Sequence, residues 1–110
     1  MRSDRERFTD ILEAIDNIER YASRGKQGFI NDELLQVWVV RHLQIIGEAA
    51  NRITEETRDR FPEIPWGKMI GMRHILVHGY FEIDAEIVWS VVEKDLSFLK
   101  EQFLSAIDKL

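Results

Sequence analysis

The chain has 110 residues, enough for one hydrophobic core but not for two, which predicts a single domain over residues 1–110. Its composition of 45% hydrophobic and 32% charged residues with a net charge of −5 excludes a disordered chain and a broad nucleic-acid-coating surface, but not a small phosphate site of one or two arginines. Cysteine is absent, and neither a membrane-length apolar run nor a signal peptide is visible, so we expect a cytoplasmic protein without disulfides, thiolate metal sites or membrane contact.

A first amphipathic helix is predicted near the start of the chain. Ser3 and Glu6 have the spacing of a capping box, in which each side chain binds the other residue's backbone N–H. Gly25 and Gly28 are expected to end this helix. Its buried face is formed by apolar residues at helical spacing: Phe8, Ile11, Leu12, Ile15, Ile18 and Tyr21.

The segment NDELLQVWVVRHLQIIGEAANRI predicts a second helix, with Asn31 or Asp32 as its N-cap. Between Leu34 and Ile53 the helix is apolar on more than one face. Such a helix usually lies at the centre of its domain or is shared with another chain. We therefore expect it to be the middle helix.

The second half of the chain predicts three further helices. TEETRDR is a short charged helix, and Pro62 and Pro65 interrupt the pattern after it. WGKMIGMRHILVH is expected to form a third main helix that stops at Gly79. A long apolar stripe predicts the last helix, which starts near Asp84, a residue that fits an N-cap. No strand is predicted, and the fold class is all-α, an up-and-down bundle of four main helices plus a short helix.

The stretch MRHILVHGYF, residues 72–81, concentrates polar groups in an apolar segment. Arg73 and His78 are five residues apart, so on one helix they would be rotated by roughly 140° and would not share a face. His74 and His78 are four apart and would share one.

Three interpretations of this stretch are compatible with its spacing. In the first, Arg73 forms an ion pair, His78 caps the helix, and the aromatic residues after it close the end of the bundle. In the second, His74 and His78 bind a metal with a third ligand, although the glutamate of an H-E-x-x-H motif is missing. In the third, histidine transfers a proton and arginine binds a phosphate, so that RNA is cleaved through its own 2′-hydroxyl without a metal.

The R-x4-H-x-Y pattern from Arg73 through His78 to Tyr80 resembles the motif of HepT-type toxins of the HEPN superfamily. RHLQIIGEAANRI, FPEIPWGKMIGMRHILVHGYF and IDAEIVWSVVEKDL are similar to three blocks of that family, in the same order. The resemblance implies a HEPN-like helical fold and a homodimer in which the motifs of two subunits meet in one cleft.

The resemblance also implies roles for motif residues. Arg73 and His78 would be the catalytic pair of a metal-independent endoribonuclease, with no cofactor: His78 as general acid or base, and Arg73 holding the scissile phosphate of the RNA substrate. The cognate antitoxin would be an MntA-like minimal nucleotidyltransferase that transfers AMP to Tyr80, which makes Tyr80 a modification site. A packed aromatic is the structural alternative for Tyr80.

Supporting roles are predicted for two further residues. His74 stands where the family often has asparagine, and it could bind phosphate or orient its neighbours, or be structural. Glu48 is an acid in a largely apolar helix, where a carboxylate needs a partner, so we expect it to pair with Arg73 or another motif residue. Three more basic residues could line an RNA cleft or a solvated face: Arg41, His42 and Arg52.

Two other functions remain compatible with the sequence. The chain could be a non-catalytic nucleotide- or substrate-binding partner of a minimal nucleotidyltransferase, because some HEPN-like proteins keep only a binding role. Alternatively, the transferase could be the toxic component and this chain its restraint.

Overall fold

The computed structural model describes residues 2–75, 77–78 and 82–110, and at 73–75, 77–78 and 82 it describes the backbone alone. These residues form helices and one short strand pair. In chain order the elements are α1 (Asp4–Ala22), α2 (Gly25–Ile30), α3 (Glu33–Arg52), α4 (Glu55–Arg60), α5 (Trp66–Ile75), β1 (Val77–His78), β2 (Glu82–Ile83), α6 (Ala85–Lys94) and α7 (Leu96–Ile107).

Helix α1 begins as predicted and ends earlier. Ser3 and Glu6 form the complete capping box, each side chain accepting from the other residue's backbone N–H. The helix ends at Ala22, and Gly25 turns the chain with a φ of 77°, which glycine adopts without strain. Gly28 does not end α1 but lies inside α2, where an added Cβ would lie 2.9 Å from the Cβ of Arg24.

Helix α3 is the central helix of the domain, as predicted, and packs against both α1 and α5. The Asp32 side chain caps it by accepting from the backbone N–H of Leu35 at 3.1 Å. One face of α3 is only partly covered by the rest of the described chain. We call it the outward stripe; it consists of Leu34, Val37, Trp38, Arg41, Gln44, Ile45, Glu48 and Arg52.

The start of α1 is tied to the start of α4. The Asp4 carboxylate accepts hydrogen bonds from the backbone N–H of Thr54 at 3.2 Å and from the Thr54 and Thr57 hydroxyls, both at 2.6 Å. Thr54 is the N-cap of α4, and its hydroxyl also accepts from the Thr57 N–H. One carboxylate therefore fixes the N-termini of two helices that lie far apart in sequence.

An aromatic cluster fills the core below this tie. The ring of Phe8 is fully buried, with its centroid 4.9 Å from that of Phe103, 6.0 Å from that of Phe61 and 6.1 Å from that of Trp66. The Trp66 indole N–H donates to the Phe61 carbonyl at 3.0 Å. The loop with the two prolines is thereby anchored to α1 and α7, and it sets where α5 begins.

The bundle of four main helices plus a short helix does not fully describe the structure. Helix α2 was not predicted, and the expected last helix is divided at Asp95 into α6 and α7. Aspartate is a poor residue for a helix interior, and the Asp95 carboxylate forms an ion pair with Lys68 of α5 at 3.1 Å. The apolar stripe continues across the bend, since Val92, Leu96 and Leu99 are all buried.

The third main helix is shorter than predicted, and a strand pair follows it. Helix α5 ends at Ile75, whereas the sequence predicted an end at Gly79. Val77 and His78 then pair antiparallel with Ile83 and Glu82. β-Branched residues such as Val77 and Ile83 favour an extended backbone, and pairing supplies the hydrogen bonds that the helix would have given. Among the described helices, none has the length and apolar character needed to cross a bilayer.

Candidate functional site

The motif residues are divided between two kinds of backbone. Arg73 and His74 lie in the last turn of α5, whereas His78 lies in β1 opposite Glu82. Tyr80 falls outside the residues that the structure describes, as do the side chains of the other three. The catalytic pairing of Arg73 with His78, the role of His74 and the modification of Tyr80 therefore stay predictions.

The observed backbone differs from the single helix that the sequence predicted to carry Arg73, His74 and His78. The predicted helix included His78, although the stop at Gly79 meant that His78 need not follow helical geometry, and α5 ends three residues before it. The rotation of roughly 140° between Arg73 and His78 therefore does not apply. His74 and His78 do not share one helix face, so the proposed histidine pair at helical spacing is wrong in that geometry. His78 also lies beyond the end of α5, and whether its side chain caps that helix concerns a side chain outside the described part of the chain.

Glu48 lies on the outward stripe of α3 and is less buried than the sequence suggested. Its side chain is 45% exposed, and its Oε1 accepts from Nε of Arg52, one turn later, at 2.7 Å. The sequence predicted a partner among the motif residues, whereas the observed partner, Arg52, lies outside the motif. A pairing with Arg73 concerns a side chain outside the described part of the chain.

His42 is a core residue and does not line a cleft. It is 8% exposed, and its ring centroid lies 4.3 Å from that of Trp38. Its Nδ1 lies 2.7 Å from the Trp38 carbonyl oxygen. Because a carbonyl only accepts, Nδ1 is the protonated nitrogen of this imidazole. Trp38 is held in turn by its indole N–H, which donates to the Asn17 carbonyl at 2.9 Å.

Arg41 and Arg52 line a groove that the sequence did not predict as a whole. It lies between α1 and α3 and has a volume of about 1000 Å³. We call it the arginine groove. Its floor includes Ile45 and Ala49 of α3, and its charged lining residues are Arg2, Arg7, Asp10, Arg41, Glu48 and Arg52.

The charges in the arginine groove are partly paired. The Asp10 carboxylate accepts two hydrogen bonds from Arg2, one from Nε at 2.9 Å and one from Nη2. Glu48 forms an ion pair with Arg52. A hydrogen bond to Asp10, and then the charge of Asp10, raise the pKa of Arg2 above its ordinary value. Within the described chain, neither Arg7 nor Arg41 has an ion-pair partner. Neither guanidinium is held in an ion pair, although the charge of Arg7 also interacts with those of Asp4 and Glu6.

A metal centre is not built from the part of the chain that the structure describes. No group of three or more histidine, aspartate or glutamate side chains is arranged to bind a metal ion within that part. The side chains of His74 and His78 lie outside the described part of the chain.

Comparison with known proteins connects this fold to a family. A Methanocaldococcus jannaschii protein named "Putative RNase MJ1380" is 42% identical over 94 residues, which cover 84% of this chain and 86% of that protein. "Probable ribonuclease HepT" of Thermococcus cleftensis is 39% identical over 103 residues, 93% of this chain and 94% of that protein.

A third relative is longer than this chain. The M. jannaschii protein named "Gamma-glutamylcyclotransferase and putative RNase MJ0434" is 39% identical over 101 residues, which are 91% of this chain but 46% of that protein. No solved structure matches the chain significantly. The family described as ribonuclease HepT-like matches residues 11–106, close to the whole length. The chain therefore belongs to the ribonuclease HepT-like family.

Proposed function

We propose that this protein is a metal-independent endoribonuclease that works as a homodimer, with Arg73 and His78 at a cleft between two subunits. The observation that carries the proposal is membership of the ribonuclease HepT-like family over residues 11–106, combined with the R-x4-H-x-Y spacing within that range. The backbone of Arg73 lies in the last turn of α5 and that of His78 in β1, so each residue belongs to a defined secondary-structure element.

The reaction that suits these residues is transesterification within the RNA chain. The 2′ oxygen forms a bond to phosphorus while the bond from phosphorus to the 5′ oxygen breaks. The products are a 2′,3′-cyclic phosphate and a 5′-hydroxyl. His78 takes the proton of the 2′-hydroxyl, and water protonates the departing 5′ oxygen. Arg73 binds the non-bridging oxygens, where negative charge develops.

A dimer is supported by the exposed apolar residues at the start of α3. Leu34 is 84% exposed and Val37 is 57% exposed, next to the partly exposed Trp38. A cluster of large apolar side chains on a small domain is typical of a protein–protein interface. In the proposed dimer these residues are covered by the second subunit.

The protein is proposed to be the toxin of a HepT/MntA-type pair, neutralised when a minimal nucleotidyltransferase modifies Tyr80. In that step the phenolic oxygen of Tyr80 forms a bond to the α-phosphorus of ATP, the bond from that phosphorus to the oxygen bridging to the β-phosphate breaks, pyrophosphate leaves, and the phenolic proton passes to water. The bound AMP would add negative charge beside the motif and repel an RNA phosphate. The support here is the family and the position of Tyr80 in the sequence motif.

Cleavage of RNA by the purified protein in EDTA tests the central proposal. The intact mass is checked first, so that a sample carrying AMP is not mistaken for an inactive one. We expect His78→Ala to lose at least 10²-fold in rate, the usual contribution of a general base, and Arg73→Ala to lose a similar factor. Circular dichroism and sedimentation must show that both variants fold and associate as the wild type does.

A mixing experiment tests whether the site is shared between subunits. Arg73→Ala and His78→Ala chains are co-expressed with different tags, and the mixed dimer is purified beside each parent. If arginine from one chain serves histidine from the other, each mixed dimer keeps one intact site of two, and its rate should be about half that of the wild type. If both residues act within one chain, the mixed dimer should be as inactive as its parents.

The alternative function makes the opposite prediction. If unmodified wild-type protein cleaves none of a broad panel of RNAs, the endoribonuclease proposal fails. The protein would then be a non-catalytic binding partner of the nucleotidyltransferase. A Tyr80→Phe chain that resists the transferase but kills cells to the same extent would support the toxin role.

A further inference from the structure

The arginine groove has a charge opposite to that of the chain as a whole. Its lining contains four arginines and two carboxylates, a net charge of +2, whereas the chain carries −5. A surface of this sign on an acidic protein indicates an anionic ligand. We propose that the arginine groove binds the phosphate backbone of RNA, with Arg7 and Arg41 as its phosphate-binding residues. This inference rests on the proposed ribonuclease function.

Arg7 and Arg41 are assigned this role because the other two arginines are already engaged. Asp10 holds Arg2 and Glu48 holds Arg52, so both carboxylates of the groove have an arginine partner. Arg41 is exposed at the centre of the outward stripe, and Arg7 is partly exposed on α1 across the groove. A guanidinium presents a fork of N–H donors that matches two phosphate oxygens.

The neighbouring elements connect the groove to the motif. Helix α3 supplies Arg41, and α5, which carries Arg73 in its last turn, packs against α3. Contacts of this kind position the nucleic acid and do not read its sequence. In this proposal α3 links the groove to the helix that carries Arg73, and base selection is left to other residues.

A second copy of the chain is a poorer occupant of the groove than RNA. In a two-fold symmetric dimer the same patch faces itself, which would bring two grooves of charge +2 together. Like charges facing each other in an interface oppose association. The exposed apolar residues at the start of α3, Leu34 and Val37, give a dimer a better surface at the other end of the same stripe.

Binding of an uncleavable RNA tests the groove independently of catalysis. The probe is a fluorescein-labelled single-stranded oligonucleotide with 2′-O-methyl groups throughout, which has no free 2′-hydroxyl to act as nucleophile. Its affinity for the wild-type protein is measured by fluorescence anisotropy at several salt concentrations. The variant is R7Q/R41Q, and the control is R20Q, because Arg20 is exposed on α1, outside the groove, and has no ion-pair partner among the described residues.

The expected effect follows from counterion release. Each phosphate contact to a single strand contributes roughly 0.7 to the slope of log affinity against log salt, which is about fivefold in affinity at 0.1 M salt. R7Q/R41Q should therefore bind about 25-fold more weakly and lose roughly 1.4 from the slope. R20Q should change the affinity by less than about twofold. An R7K/R41K variant keeps both charges and should retain most of the slope.

The outcomes separate this inference from the proposed function. If R7Q/R41Q and R20Q bind the RNA equally well, the arginine groove is not the RNA-binding site. The same conclusion follows if R7Q/R41Q changes dimerisation but not RNA affinity. Strong binding that depends on Arg7 and Arg41, with no cleavage of ordinary RNA, supports the groove and rejects the catalytic proposal. Cleavage that requires His78 but is unaffected by R7Q/R41Q, in rate and in KM, supports catalysis and rejects the groove.

Discussion

Replacing Asp4 with asparagine should destabilise the domain, because this carboxylate holds the N-termini of α1 and α4 together. It accepts three hydrogen bonds from Thr54 and Thr57, at 3.2, 2.6 and 2.6 Å. A hydrogen bond to a charged group contributes about 1.5–3 kcal/mol, less where water competes, as it does at this partly exposed site. Asparagine keeps one carbonyl oxygen, so we expect a loss of about 1.5 kcal/mol at pH 7.

The effect should depend on pH with a defined sign. Partial burial alone would raise the pKa of Asp4, but hydrogen bonds from Thr54 and Thr57 outweigh it and hold the pKa below its ordinary value of 3.8. A carboxyl whose folded pKa is depressed stabilises the fold fully above its unfolded pKa. The contribution is lost as the pH falls below 3.8 and through the lower folded pKa. The difference between wild type and Asp4→Asn should therefore shrink in strong acid.

Urea unfolding followed by circular dichroism, at equal protein concentration, measures this prediction. The same loss of about 1.5 kcal/mol should lower the Tm at pH 7 by about 6 °C, at roughly 4 °C per kcal/mol. The control is Asp59→Asn, an exposed aspartate of α4 outside this tie, which should change stability by less than about 0.5 kcal/mol. If Asp4→Asn has the same free energy of unfolding as the wild type at pH 7, Asp4 does not stabilise the fold in this way. The same conclusion follows if the difference in free energy between the two proteins does not shrink in strong acid.

Two other predictions concern packing, one at the buried Phe8 and one at the partly exposed Trp38. Phe8→Leu removes a fully buried ring from contact with three aromatic neighbours and should lower the free energy of unfolding in urea by about 2 kcal/mol. The control, Phe98→Leu, changes a side chain that is 57% exposed and should lower it by less than about 0.5 kcal/mol. Equal losses in the two variants would contradict the assigned packing. Trp38→Phe removes the N–H that donates to the Asn17 carbonyl and should lower the free energy of unfolding by about 1 kcal/mol in the same assay. A variant as stable as the wild type would contradict this prediction.

Signals within a few residues were predictable from the sequence. The capping box of Ser3 and Glu6 and the N-caps at Asp32 and Asp84 all form as expected, since each depends on contacts over three residues. The central position of α3 was also predictable, because its apolar residues exceed what one helix face can hold. The HepT-like resemblance is confirmed by the family match.

Features that depend on tertiary contacts were not predictable in the same way. The apolar pattern continues past Ile75, so nothing local separated the end of α5 from the start of β1. At the bend, Asp95 binds Lys68, which is 27 residues away in the sequence. The arginine groove requires Arg7 and Arg41 to meet across two helices, whereas in the sequence each is one charge on a polar helix face.

The uneven charge of this protein has a consequence for the kinetics of encounter. If the arginine groove carries +2 of a total of −5, all other residues together carry −7. A long polyanion that diffuses towards the protein is repelled by most of its surface and attracted by the groove. Encounters in which the groove faces the polyanion are therefore favoured before any contact forms. Raising the ionic strength weakens both effects within a Debye length of about 10 Å at 0.1 M salt. If the arginine groove binds RNA as proposed, the protein would capture a strand in one orientation and would bind the bulk of cellular nucleic acid weakly.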